Sequence, residues 1–356
     1  MTTTSAAGRT AYLVLGMHRS GTSALTQVLA LAGASLPENV MGGDEHNAKG
    51  YFEPWKVAIL NDGLLRASGA AWDDIFAFPY RALPRKAERS WLGRAETLFE
   101  EEFGKTRFPL LKDPRVTVLM PFWRTVLADL DVGARCVIPV RHPLAVAGSL
   151  ARRNGFAPEK SVLLWSAYML AAEAYTRDLP RAFVSYDGLL GDWRAQVGRI
   201  EAAHGASLPD LTEKAGKAID RFLTPDLSHN AAGGGLKDLG WAGTLTASVL
   251  AWFEAAARDA APEPGPLDAA AAELAKRRAE VGALVSPVTR DLDAARSELL
   301  DLRRALELER AEMGREKRAI LTAHQRQVRA LETEINTLRR EGAEAIRHLD
   351  QILAEG

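Results

Sequence analysis

Ala11-Tyr-Leu-Val-Leu15, Gly16-Met-His-Arg-Ser-Gly-Thr-Ser23 and Ala24-Leu-Thr-Gln-Val-Leu-Ala-Leu-Ala32 run on without interruption near the start of this 356-residue chain. The first run is continuously apolar and short, which reads as a strand buried on both faces; the last has the length and composition of a helix. Strand, glycine loop and helix in that order form the opening unit of a parallel sheet. At such a junction the unpaired N–H groups and the dipole of the helix start attract a phosphate. Gly16 and Gly21 allow the tight path and the close approach of backbone to ligand.

Three further apolar runs follow: Phe108-Pro-Leu-Leu-Lys112, Arg135-Cys-Val-Ile-Pro-Val-Arg141 and Arg181-Ala-Phe-Val-Ser-Tyr186. Amphipathic stretches near 91–103, 117–130, 144–153 and 160–178 lie between or beside them. Strands alternating with helices predict a doubly wound α/β fold, a P-loop-like parallel sheet flanked by helices. The length suits one catalytic domain with an appendage, and the sequence divides into a domain over 1–260, a hinge and helical linker over 261–287, and a coiled coil over 288–356.

The loop lacks the lysine of the P-loop of nucleoside triphosphatases, whose place Thr22 takes, so a Mg²⁺-nucleoside triphosphate is a poor fit. A cation is present instead at Arg19, where a guanidinium can fork onto phosphate or sulfate oxygens. A second cation, Arg141, ends a predicted strand and so reaches the carboxyl edge of the sheet. Ser149 lies eight residues on, about two turns along a helix begun after Pro143. Arg141 and Ser149 can therefore meet one phosphate.

In Arg19-Ser20-Gly21-Thr22-Ser23 and in Arg141-His-Pro-Leu-Ala-Val-Ala-Gly-Ser149 the sequence resembles the sulfotransferase family. Asn47-Ala-Lys-Gly-Tyr-Phe-Glu53, Leu111-Lys-Asp-Pro-Arg115 and Val184-Ser-Tyr-Asp-Gly-Leu-Leu190 extend the likeness, which covers roughly residues 11–230 and omits the tail. The resemblance implies 3′-phosphoadenosine 5′-phosphosulfate as donor co-substrate, held by Arg19, Ser20, Gly21, Thr22 and Ser23, with its 3′-phosphate on Arg141 and Ser149. It also places Lys112 near the transferred group. Two features depart from the family: Arg19 stands where lysine is frequent, and no basic-glycine motif follows near the end of the catalytic part.

Sulfuryl transfer needs an in-line displacement, a base for the acceptor's hydroxyl proton, and positive charge on the bridging and sulfuryl oxygens. No metal is required if cations and helix N–H groups supply that charge. Glu53 is the favoured base, with Asp113 and His46 as alternatives; Glu53, Arg19 and Lys112 form the expected catalytic set. Arg115 reads either as a clamp for an anionic acceptor or as a helix-start ion pair. Trp55, Trp72, Trp123 and Trp165 line an acceptor cleft or belong to the core. By analogy the acceptor is a hydroxyl of a saccharide or glycoconjugate. Two other readings stand beside this one: a P-loop phosphotransferase, and a coiled-coil assembly protein with a regulatory nucleotide fold.

Lys plus Arg total 45 and Asp plus Glu 46, a formal net charge of -1, which gives no sign of bulk nucleic-acid or membrane binding. The lone Cys136 sits in a strand-like run and reads as packing. The start of the chain lacks a secretion signal and no stretch has the length of a membrane span, so a cytoplasmic location is expected. The glycine-rich connection over 224–240 is either a surface loop or a lid. Leu292, Leu299, Leu306, Met313 and Ile320 recur every seven residues, then Leu321, Val328, Ile335 and Leu349 continue one position out of register. Such a seam needs burial, so 288–356 predicts a homo-oligomer or a partner helix.

Overall fold

The computed structural model describes residues 8–43, 50–224 and 235–355. His46, and residues 225–234 of the glycine-rich connection, lie outside them. The chain forms two units, Met1–Asp293 and Ala294–Gly356.

In the first unit, β1 (Thr10–Val14) leads through the glycine loop into α1 (Thr22–Leu31). Two helices follow, α2 (Trp55–Ala67) and α3 (Arg85–Phe103), before the short β2 (Leu110–Leu111), then α4 (Pro114–Val118) and α5 (Met120–Asp129). Next come β3 (Gly133–Val140), α6 (Pro143–Asn154), α7 (Pro158–Ala174) and β4 (Arg181–Ser185). The unit closes with α8 (Tyr186–Gly191), α9 (Trp193–His204), α10 (Glu213–Phe222), α11 (Gly240–Ala256) and the first part of α12 (Gly265–Glu355). All four strands are parallel, in the order β2-β1-β3-β4.

The chain steps from β1 outward to β2, then back across to β3 on the other side of β1. The carboxyl ends of β1 and β3 therefore border a topological switch point, where open α/β sheets carry their ligands. The sheet stands upright because alternate residues of each strand feed two cores. Leu13, Leu111, Cys136 and Ile138 pack on the face covered by α2, α3, α5, α6, α7 and α11. Tyr12, Val14, Leu110, Val137 and Val184 pack on the face covered by α1, α8, α9 and α10. Leu13 is fully buried, so trimming it to alanine costs about 2–5 kcal/mol.

The four strands and the helices over 85–103, 114–129, 143–154 and 158–174 follow the sequence reading. The Pro-Gly-Pro stretch at 264–266 initiates α12: Pro266 sits in the first turn, where a missing N–H costs nothing. Leu267, Ala270 and Leu274 of α12 are buried in the first core, and Asp293 bonds Arg66 Nη1 at 3.0 Å. In the second unit the helix continues as a single strand of chain, with Leu299, Leu302, Leu306, Met313, Ile320, Leu331, Ile335 and Leu338 exposed. Among the described residues no helix is long and apolar enough to cross a membrane.

Candidate functional site

The glycine loop is held from both ends. Leu15 N–H donates to Val137 O at 3.0 Å, and Gly16 N–H donates to Thr117 Oγ1 at 2.8 Å, tying the loop to β3 and α4. The backbone turns through positive φ at Gly16 (140°), Arg19 (69°) and Gly21 (89°). An arginine in that region is strained by about 1–3 kcal/mol, which the surrounding bonds must hold. Gly21 has no substitute for a further reason: an added Cβ would lie 2.1 Å from Tyr186 Cδ2. At the start of α1 the capping position is Gly21, which has no side chain to cap the first N–H groups.

Arg19, Arg141 and Ser149 come together. Arg19 Nε donates to Ser149 Oγ at 2.7 Å, and Arg141 Nη1 donates to the Arg19 carbonyl at 2.8 Å. The Arg141 guanidinium also lies 4.6 Å above the Tyr186 ring, a cation–π seat. Arg141 makes no ion pair among the described residues. Burial first, and then the charges of Arg19 and Arg152, hold its proton affinity below the usual arginine range against the opposing pull of Tyr186 and Asp187. Ser20 is fully buried, and its Oγ has no hydrogen-bond partner among the described residues. Two guanidiniums on neighbouring turns and an orphaned hydroxyl at a helix start fit a multiply charged anion.

Strand ends β2 and β3 use the same device. Lys112-Asp113-Pro114 and Arg141-His142-Pro143 each place a cation at the last extended residue, a cap next, and proline at the first helical position. Lys112 is buried beside the loop, where Nζ donates to Glu53 Oε1 at 2.6 Å, to Tyr51 O at 2.9 Å and to Ser23 Oγ at 3.2 Å. Glu53 Oε2 lies 3.7 Å from Arg115 Nη1. Its carboxylate is thus balanced by two cations, and taking a proton would weaken both pairings.

The alternative base Asp113 is fully engaged: it caps α4 through Arg115 N–H, accepts from Arg115 Nη1 at 2.9 Å, and accepts from Asn61 Nδ2 at 2.7 Å. Arg115 is taken up in turn, since Nε donates to Asp62 at 2.5 Å. Of its two sequence readings, the ion-paired helix start is the one its contacts match. Trp123 and Trp165 are fully buried core residues, Trp55 is exposed, and Trp72 is half-buried beside the loop.

Two groups were missed in the sequence. His18, next to Arg19, is buried, with its ring 4.8 Å from Trp72 and 6.4 Å from Tyr168. Arg153 lies one helical turn past Ser149 on α6, over Trp72 at 5.5 Å, and Trp72 stacks on Phe156. The four-residue step from Ser149 to Arg153 was a legible signal, since it sets both on one helix face. His18 had only its place in the loop to mark it.

No family model matches the chain, and no curated protein matches its sequence. Solved structures with a similar fold do exist. The sulfotransferase domain from the olefin synthase of Synechococcus PCC 7002 shares 18% identity, covering 69% of this chain and 95% of that one, with a TM-score of 0.39. The sulfotransferase domain from the curacin biosynthetic pathway shares 14%, covering 75% and 98%, with a TM-score of 0.35. Both are sulfotransferase domains.

Proposed function

We propose that this chain is a sulfotransferase that moves a sulfuryl group from 3′-phosphoadenosine 5′-phosphosulfate to a hydroxyl acceptor. The observation that carries the reading is the meeting of Arg19, Arg141 and Ser149, which belong to two segments more than a hundred residues apart, at the switch point of the sheet. In this reading the loop and the first N–H groups of α1 bind the 5′-phosphosulfate, with Ser20 Oγ as one donor. Arg141 and Ser149 bind the 3′-phosphate.

The acceptor oxygen attacks sulfur, and the bond from sulfur to the bridging oxygen breaks. The electron pair stays on the leaving phosphate, whose charge Arg19 offsets. A guanidinium at this place serves by its charge and not as an acid. Lys112 acts on the sulfuryl oxygens through its charge, from its seat against Ser23 of the loop, and Glu53 holds it there. We assign Glu53 this anchoring role in place of the base role expected from sequence, because its oxygens already serve Lys112 and Arg115. The acceptor class rests on the reaction alone, since the Trp72 ring beside the loop already carries Phe156 and Arg153.

The test is Arg141→Ala, with binding of adenosine 3′,5′-bisphosphate and adenosine 5′-phosphate measured by calorimetry. A lost hydrogen bond to a charged group is worth about 1.5–3 kcal/mol, so affinity for the bisphosphate falls by roughly 10- to 150-fold. Affinity for the monophosphate changes little. Equal losses for both ligands would defeat the assignment.

A further inference from the structure

We propose that His18 Nε2 takes the proton of the acceptor hydroxyl, and that it does so only after the donor has filled the cluster of cations around it. This rests on the sulfotransferase reading above and adds the base that the reading lacks. His18 precedes Arg19 in the loop, and its ring meets Trp72, over which Arg153 lies one helical turn past Ser149, so in that reading it borders the anion site. Its Nε2 is closed off from solvent and has no hydrogen-bond partner among the described residues. A buried polar atom without a partner costs free energy, and a ligand hydroxyl arriving there recovers it.

The charges facing His18 come from several elements. Arg19 is on its own loop, Lys112 follows β2, Arg115 is on α4 and Arg153 is on α6. Tyr168 of α7 and Trp72 contact the ring. Of the carboxylates bound to these cations, Glu53 pairs with Lys112, and Glu53, Asp62 and Asp113 share Arg115. Arg153 makes no ion pair among the described residues, and its only polar bond there is to the Asn154 side chain at 2.7 Å. Burial first, then Arg115, Arg153, Lys112 and Arg19, hold the imidazole proton affinity well below the usual histidine range. Without donor His18 is therefore neutral.

A donor bearing two phosphate groups and a sulfate reverses that field, and opposite charge nearby favours the protonated imidazole. Proton acceptance thereby becomes conditional on the donor being bound. In the transfer step the acceptor oxygen forms the new bond to sulfur and the bridging bond breaks. The leaving phosphate keeps that electron pair, and the hydroxyl proton passes to Nε2. When the bisphosphate product leaves, burial and the unscreened cations again disfavour the protonated ring, and the proton passes to solvent through the site the product vacates.

The experiment uses the full chain labelled with ¹⁵N-histidine, with His18→Asn identifying the His18 signals among the seven histidines. Calorimetry first establishes that adenosine 3′,5′-bisphosphate binds. Without ligand, the His18 imidazole stays neutral as pH falls below the usual histidine midpoint. With the bisphosphate its titration midpoint rises by about one pH unit or more. A bound bisphosphate that leaves the midpoint unmoved overturns the proposal, and absence of bisphosphate binding removes the donor reading together with it.

His18→Gln supplies the second arm, since its amide reaches the Nε2 position but cannot take a proton. With water as the acceptor hydroxyl, release of labelled sulfate from the donor falls by about 100-fold or more, with bisphosphate affinity kept. Turnover retained in His18→Gln would reduce His18 to a positioning residue and overturn proton transfer to it.

Discussion

Gly21→Ala tests the join between the loop and the 3′-phosphate side in one substitution. The residue adopts φ 89°, and an added Cβ meets Tyr186 Cδ2 at 2.1 Å and Cε2 at 2.5 Å. A non-glycine residue in the left-handed region costs about 1–2 kcal/mol, and forcing a packed ring aside costs about 1–3 kcal/mol more. At about 2–4 °C per kcal/mol for a domain of this order, the melting temperature falls by roughly 5 °C or more. The displaced ring is also the seat of Arg141, 4.6 Å above it. Affinity for adenosine 3′,5′-bisphosphate therefore falls by about tenfold or more, the worth of one disturbed charged hydrogen bond.

Scanning calorimetry and titration calorimetry read the two effects separately. Adding Tyr186→Ala relieves the clash, so the second substitution restores stability relative to additive expectation without restoring affinity. A Gly21→Ala protein with unaltered melting temperature and affinity would refute the reasoning.

Lys112→Ala lowers turnover by about 10²–10³-fold with donor affinity kept, measured with radiolabelled donor and an acceptor found by extract screening. Glu53→Gln gives a smaller fall, because the amide still accepts a bond from Lys112; a loss as large as that of a removed base would return proton acceptance to Glu53. Removal of residues 294–356 keeps turnover and lowers the oligomeric state seen by light scattering, since the exposed apolar seam of that unit is what we propose to be buried between helices. Loss of turnover with unchanged mass would contradict that role. Burial pushes the Cys136 thiol up to about 12, so a thiol reagent at neutral pH labels it only after denaturation; fast labelling of the native chain would show that β3 opens.

The sheet was legible because its strands are uniformly apolar and short, and two cores require that pattern. Arg19, Arg141 and Ser149 were legible because strand ends and helix starts fix where those side chains emerge. The helix over 55–67 was missed, since Trp55 and Ile59 on its exposed side blur the apolar stripe and its glycine at 63 weakens the pattern. The acceptor side was harder. Glu53 looked like a free carboxylate because its partners, Lys112 and Arg115, are some 60 residues away in sequence. His18 looked like a loop residue because its burial is produced by Trp72 and Tyr168, which no local pattern brings to it. The long final helix follows from its composition, but its first turns pack into the core through Leu267 and Leu274, a tertiary contact that periodicity alone does not announce.

Titration of the full chain with adenosine 3′,5′-bisphosphate in EDTA, beside ATP in excess Mg²⁺, is the most direct measurement of what this site holds. The account predicts tight, metal-independent binding of the bisphosphate and at least about tenfold weaker binding of ATP, since ATP offers no 3′-phosphate to Arg141 and Ser149. Binding of ATP that requires Mg²⁺, with none of the bisphosphate, would contradict it.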